Sequence, residues 1–423
     1  MAAALLGWVQ RVYSEFKPPV ATKNNGALRM GILGAANIAP MALITPAKSH
    51  PDVVVAAVAA RDFKRATAFA KKHGIPVVHK TYDDLINDPA IDSIYNPLPN
   101  GLHYEWTLKA LRAGKHVLLE KPSVSNAEEA RSLFLHPILQ GPNAPVLLEA
   151  FHYRFHPLWS TVLNLFAKED VEEVTAISSL FAGMFPKDDI RFVYKLSGGT
   201  LMDFGTYDVS TLRSIFGEEP VSVKSVAYRP APLDPQCDEA IVAEYEFSGG
   251  RAGKIDADLQ AKGGYPLAAL TKNLPSFRNM LPKVEIKLKP KVEKVDGGLE
   301  KTTRKEIIVW NFMAPHLYHR VDIITKTQLK NPQDGKVVKE NKGVEYIKEY
   351  KWPEEQARKK GEEWWTTYRY MLEEFVNRVK NREGSGIWVE PEDSIRQMEM
   401  IDATYKKAGL PLRPTNHTLE VSK

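Results

Sequence analysis

The run HVLLEKP carries Glu120-Lys121-Pro122 at the end of a short apolar stretch that reads as a strand. In a parallel sheet, Lys121 would stand at the carboxyl edge, where open α/β sheets bind their ligands. A lysine there is costly unless solvated or partnered, and moving a proton is one use for it. Further on, LSGGTLMDFGTYDV puts Asp203 and Tyr207 four residues apart. On a helix that starts after Gly198-Gly199, both side chains share one face. A lysine close to a tyrosine hydroxyl favours the phenolate, so Lys121 and Tyr207 form an acid–base pair for a carbinol proton, oriented by Asp203. Singly, these residues have plainer uses: a solvated strand-end lysine, a core tyrosine, a helix-face carboxylate. Only their combination carries the chemical reading.

The elements that must position them come in two styles. RMGILGA and VVVAAVAA read as buried strands, DFKRATAFAKKHG as an amphipathic helix ending at Gly74, and IDSIYNPLP as a third strand. LHYEWTLKALRAG is a helix closed by Gly114, HVLLEKP a fourth strand, NAEEARSLFLH a helix and APVLLEAF a further strand. Strand and helix in alternation imply right-handed crossovers and a parallel sheet, ending near Ala150. After that, VEEVTAISSLFA, VSVKSVAYR, EAIVAEYEFS, RAGKIDADLQ, KVEIKLK, KEIIVWNF and GVEYIKEYK follow with few helices between them, which predicts a largely antiparallel sheet. Two helices close the chain, EEWWTTYRYMLEEFVNRVKN and PEDSIRQMEMIDATYKKAG. The expected architecture is therefore α/β: an N-terminal helix and linker over 1–27, a Rossmann-type domain over 28–150, and an α+β domain for substrate and dimerisation over 151–423. The stretch from Ala261 to Lys283 reads as irregular.

At the first strand end, GILGAANIAP is a loose form of the glycine-rich dinucleotide turn, with Gly31, Gly34 and then Ala36, Asn37 and Ile38. Gly34 would admit the backbone to a pyrophosphate, and the helix that follows would offer its free N–H groups. The second strand ends Ala59-Ala60-Arg61, without the carboxylate that NAD enzymes direct at the ribose hydroxyl. Arg61 could pair with a 2′-phosphate through its planar fork, which favours NADP over NAD. The alternative makes Arg61 a solvated residue before a helix capped by Asp62.

A net charge of +5 over 423 residues, with no arginine-rich tract, gives no sign of nucleic-acid binding. In KVEIKLKPKVEKV the lysines alternate with apolar residues, as on the solvated face of a strand. Cys237 is the single cysteine, which excludes an intrachain disulfide and fits a reducing, cytoplasmic setting. No apolar run is long enough to span a bilayer. ALLGWVQRVYSEF has helical spacing at Leu5, Trp8, Val9, Val12 and Phe16 and reads as a packed amphipathic helix.

Five pieces in order, GILGAANIAP, NPLPNGLHYEW, AGKHVLLEKP, EAFHYRFHP and GGTLMDFGTYDV, cover roughly Arg29 to Val209 and resemble the Gfo/Idh/MocA oxidoreductases. Within that family the nearest likeness is to NADP-dependent D-xylose 1-dehydrogenases and dimeric dihydrodiol dehydrogenases. The resemblance implies a catalytic Lys121 and a Tyr207 in the acid–base position. It also implies Asn96, Pro97, Asn100 and His103 near the nicotinamide, Glu120 on the cofactor's ribose, no metal, and a homodimer built through the outer face of the second sheet. The tryptophan common in the fourth piece is replaced, leaving His152 and Tyr153, and the stretch from Ala261 to Lys305 is longer than expected. Both departures fall on the substrate side, where His152, Arg154 and Arg191 are the candidate contacts. Trp310 and His316 read as packing residues. The implied reaction is oxidation of a sugar-type carbinol. A cofactor-binding regulator of the same fold, a dihydrodiol dehydrogenase and a carbonyl or imine reductase are the alternatives.

Overall fold

Short apolar runs become strands here because each is followed by a residue that ends it and a helix that covers it. The computed structural model describes residues 2–263, 274–276, 279–295, 298–353, 356 and 359–418. Its first sheet has strands β1 (Leu28–Leu33), β2 (Val53–Ala59), β3 (Val77–His79), β4 (Ser93–Asn96), β5 (His116–Leu119) and β6 (Leu147–Glu149). They lie in the order β3-β2-β1-β4-β5-β6, and every pairing is parallel. The helices up to this point are α1 (Ala2–Phe16), α2 (Thr45–Ser49), α3 (Phe63–His73), α4 (Tyr82–Ile86), α5 (His103–Arg112) and α6 (Ala127–Phe134). Asp62 caps α3, accepting from the N–H groups of Lys64 and Arg65, and Gly74 closes it in the left-handed conformation. Asn126 caps α6 in the same way through the N–H of Glu129. The sheet has one more strand than the sequence pattern indicates. β3 is a short edge strand with no fully buried residue, so it carries no apolar run to read.

The strand order reverses between β1 and β4, which opens a crevice at their carboxyl ends. Gly34, Arg61, Glu120 and the residues after Glu149 follow strands at this edge, and Asn96 ends one. Nearly every chemical candidate from the sequence therefore stands on one rim.

The second sheet is built from β7 (Val171–Phe181), β8 (Ser222–Pro230), β9 (Asp238–Phe247), β10 (Arg251–Ala261), β11 (Lys283–Leu288), β12 (Lys291–Val295), β13 (Leu299–Trp310), β14 (Arg320–Lys330) and β15 (Val337–Ile347). Its order is β15-β14-β13-β11-β7-β10-β9-β8, with β12 beside β13. All pairs are antiparallel except β7 with β10. Pro290 separates β11 from β12, so the lysine-rich stretch is two strands, while Val284, Ile286 and Leu288 keep the buried parity. β14 is a strand the pattern reading passed over. The irregular stretch after Ala261 lies for the most part outside the described residues. Of the remaining helices, α7 (Pro157–Leu163) packs on the turn after β6, α8 (Thr206–Phe216) on β7 and β10, α9 (Thr367–Val379) on that turn and on α2, and α10 (Pro391–Ala408) on β8, α8 and α6. One apolar core runs through both sheets, from Leu119 of β5 to Tyr207 of α8 and Val309 of β13.

Helix α1 packs the opposite way from its expected amphipathic arrangement. Arg11, Ser14 and Glu15 are buried, while Leu6, Val9, Tyr13 and Phe16 are exposed. Its inner neighbours select the polar side: the Arg11 guanidinium lies 3.6 Å from the Tyr350 ring centre, and Glu15 lies 3.8 Å from His316 Nε2. The linker after it is pinned, with Lys23 Nζ on the carbonyls of Ala47 and His50.

Candidate active site

Chain geometry brings Lys121 and Asp203 together. Lys121 follows β5, whereas Asp203 sits in the single wide turn Leu201–Gly205 that leads into α8. Lys121 Nζ donates to Asp203 Oδ1 and to the Asp203 carbonyl, both at 2.9 Å. Arg191 Nε donates to Asp203 Oδ2 at 2.8 Å, and Arg191 Nη1 to Asp189 at 3.0 Å. Burial alone pushes the Asp203 carboxyl up, but Lys121 and Arg191 outweigh it and hold the group at about 2. Asp203 is thus a carboxylate clamped between two cations.

Tyr207 lies one turn on, and its environment departs from the simple pairing expected of it. The Lys121 ammonium stands 4.7 Å from the ring centre, over the face, with its hydrogen bonds directed to Asp203. The hydroxyl meets His152 Nε2 at 2.8 Å, and His152 Nδ1 meets Thr367 Oγ1 at 2.8 Å. Burial, then Tyr368, Glu120 and Asp203, push the Tyr207 phenol well up, so it is a neutral phenol here and not the expected phenolate. Tyr368 stacks on His152 with ring centres 4.0 Å apart.

Around these groups the β4–α5 and β5 loops are tied together. Asn96 Nδ2 donates to Thr107 Oγ1 at 3.0 Å, and Asn96 Oδ1 accepts from Leu98 N at 3.3 Å. His103 is fully buried, its ring nitrogens 2.9 Å from the Pro122 carbonyl and 2.7 Å from that of Leu98. Burial drives it down to about 4. A neutral ring has one N–H, so it donates to one of these two carbonyls while packing between the loop through Pro97 and the Glu120-Lys121-Pro122 loop. Asn100 Nδ2 donates to the Ser197 carbonyl, joining this loop to the stretch before Asp203. Glu120 Oε1 accepts from Tyr95 at 2.7 Å, and burial raises its carboxyl.

At the glycine turn, Gly34 has φ +88°, and a side chain there would press on Leu98. Gly31 has a different reason. It lies inside β1, and Leu85 of α4 fills the space its Cβ would take. Ala36, Asn37 and Ile38 form the next turn, with Asn37 exposed. Arg61 is exposed at the end of β2, and Arg65, one turn along, donates to the Ala35 carbonyl at 3.2 Å. An open turn, an admitting glycine and two guanidinium groups fit a phosphate-bearing dinucleotide. Arg65 was within reach of sequence reasoning, since it follows Arg61 at helical spacing. Thr367 and Tyr368 were not, because nothing local marks them.

Arg154 is not brought to this centre. Its guanidinium pairs with Asp393, which also binds Arg213 Nη1 at 2.6 Å, in a cleft of about 350 Å³ lined by Trp159, Arg213 and Glu219. His152 and Arg191 do reach the centre, through Tyr207 and Asp203. Trp310 donates from its indole to Asp322 at 2.9 Å.

A doubly wound parallel sheet with a glycine turn, followed by a lysine–aspartate–tyrosine cluster on the same rim, defines a nicotinamide-dinucleotide oxidoreductase. Residues 28–136 match the oxidoreductase family with NAD-binding Rossmann fold, and residues 159–277 match the GFO/IDH/MocA C-terminal domain. This chain belongs to the Gfo/Idh/MocA oxidoreductase family. D-xylose 1-dehydrogenase (NADP(+)) 2 of Haloferax volcanii is 29% identical over 384 residues, covering 90% of this chain and 97% of that protein. Trans-1,2-dihydrobenzene-1,2-diol dehydrogenase of Xenopus tropicalis is 32% identical over 56% of this chain and 70% of that enzyme. KijD10, a 3-ketoreductase from Actinomadura kijaniata solved with NADP and TDP-benzene, is similar with a TM-score of 0.63 at 20% identity, over 90% of this chain and 97% of that one. That likeness concerns the fold. No helix of the described residues is long and apolar enough to cross a membrane.

Proposed function

We propose that this chain is an NADP-dependent dehydrogenase that moves hydride between a sugar-type carbinol and the nicotinamide, with the anomeric hydroxyl of an aldopyranose such as D-xylose as substrate. The observation that carries it is the convergence of Lys121, Asp203 and Tyr207 on the rim that also holds Gly34 and Arg61. The Haloferax relative, matched over nearly its whole length and named for D-xylose and NADP(+), supports the substrate and cofactor. The bound dinucleotide supplies the hydride chemistry. Tyr207, once it has released its own phenol proton to solvent, takes the carbinol proton in the oxidising direction and returns it in the reducing one. Lys121 sets the electrostatic field over its ring, and Asp203 fixes Lys121. Gly34, Ala36, Asn37 and Ile38 cradle the pyrophosphate, and Arg61 with Arg65 takes the 2′-phosphate. Asn96, Pro97 and Asn100 line the nicotinamide side, Glu120 faces the ribose, and His103 holds their loop in place. Arg191 is the substrate-side cation, while Arg154 serves the separate cleft.

The test is a screen of aldoses, trans-dihydrodiols and ketoses for NADP-linked absorbance change. Turnover of an aldose with lactone formation is the expected result. Turnover of dihydrodiols or carbonyls alone would move the chain to another activity of the family. No turnover with any class, together with tight NADP binding, would identify a regulator instead.

A further inference from the structure

His152 is enclosed. It is 6% exposed, Tyr368 covers its ring, and both of its nitrogens are engaged, Nε2 with Tyr207 and Nδ1 with Thr367. A ring without a spare nitrogen has nothing to offer a substrate directly. We propose that His152, oriented by Thr367, is a positioning residue that sets the direction of the Tyr207 hydroxyl. This rests on the reading of Tyr207 as the acid–base residue.

The direction follows from the partners. Burial keeps the imidazole neutral, so one nitrogen carries a proton and the other a lone pair. A phenol is a stronger donor and a weaker acceptor than an aliphatic hydroxyl, because its oxygen lone pair is shared with the ring. The pairing that satisfies both neighbours puts the proton on Nδ1, donated to Thr367 Oγ1, and leaves Nε2 to accept from Tyr207. The phenol's own hydrogen then points into the protein. Its oxygen lone pairs are then left for Tyr368, which also hydrogen-bonds this hydroxyl, and for a carbinol O–H. Thr367 is suited to this task because it sits at the first position of α9, fully buried and backed by the Thr366 cap. The other polar groups around His152 are Lys121, His316 and Tyr368.

Two measurements on the full-length protein test this. Imidazole ¹⁵N shifts, with His152 assigned from His152→Gln, should show Nδ1 protonated and Nε2 unprotonated in the wild type and a mixture in Thr367→Val. Kinetically, Thr367→Val should lower kcat roughly tenfold, the scale of one lost hydrogen bond, with KM unchanged, and Thr367→Ser should restore it. On a Tyr207→Phe background the same substitution should add no further loss. A wild-type ring protonated on Nε2 overturns the proposal. So does a Thr367→Val defect that persists undiminished without the Tyr207 hydroxyl, or one confined to KM. Full turnover in Tyr207→Phe would overturn the acid–base reading itself, a result the tautomer measurement keeps separate.

Discussion

The Lys121 ammonium stands over the Tyr207 ring, and this shapes what their removal should do. Tyr207→Phe deletes the hydroxyl and keeps the ring that packs in T-shaped contact with Phe151 and Tyr153. Fold and NADP affinity should survive, while turnover should fall about 10²–10⁴-fold, read by initial rates and circular dichroism. Lys121→Met should act on the same step, so the double mutant should be little worse than the poorer single one. Near-wild-type rates in folded Tyr207→Phe would put the proton on another residue. Arg61 makes a second prediction at this scale. Its exposed guanidinium follows Ala60, where NAD enzymes carry an acid, so NADP should bind more tightly than NAD, and Arg61→Ala should narrow the gap. Fluorescence titration of both cofactors checks this, and equal affinities in the wild type would dismiss it.

The turn that delivers Asp203 and Tyr207 is held from the far end of the chain. After α10 the tail crosses back, and Arg413, fully buried, donates to the Gly198 carbonyl at 2.5 Å and to Asp238 at 2.7 Å. Asp238 also accepts from Tyr405 and from the Leu201 N–H. Gly199 has φ +129°, and a Cβ there would collide with Arg413 and Asp238. Removing one partner of this pair leaves a buried charge without its counter-ion. Arg413→Met should therefore destabilise the protein by about 3–5 kcal/mol in urea unfolding. Some loss of turnover should accompany it, because the turn carrying Asp203 loses its support. A shift within about 0.5 kcal/mol, the range of an ordinary surface substitution, would show that the tail is dispensable.

On the scale of the molecule, the second sheet has α8 and α10 against one face, and no helix of the described residues packs across the other. Ile308, Ile324 and Val344 lie on that open face by strand register, among the charged pairs Lys287 with Glu173 and Lys283 with Glu285. Apolar residues set among paired charges suit a self-complementary contact, so a homodimer through this face is expected. Light scattering at micromolar concentration should give twice the monomer mass, and a monomer would count against it. Much of this architecture is legible in the chain itself. Periodicity, caps and closing glycines mark strand and helix alternation to Glu149, because those signals are local and α3 and α6 obey them. Lys121 and the Asp203–Tyr207 spacing are visible for the same reason: strand end and helical turn place them without distant help. β3 escapes because a short half-buried edge strand has no pattern, and α1 is inverted because Tyr350 and His316, distant in sequence, select its polar side. His152, Thr367 and Arg413 acquire their partners only when segments far apart in the chain pack together, and so do the direction of the Tyr207 phenol and the clamp on Asp203. Local chemistry decides which residues can react, whereas burial and long-range contact decide their protonation and orientation. Those two depend on neighbours that only the folded chain supplies.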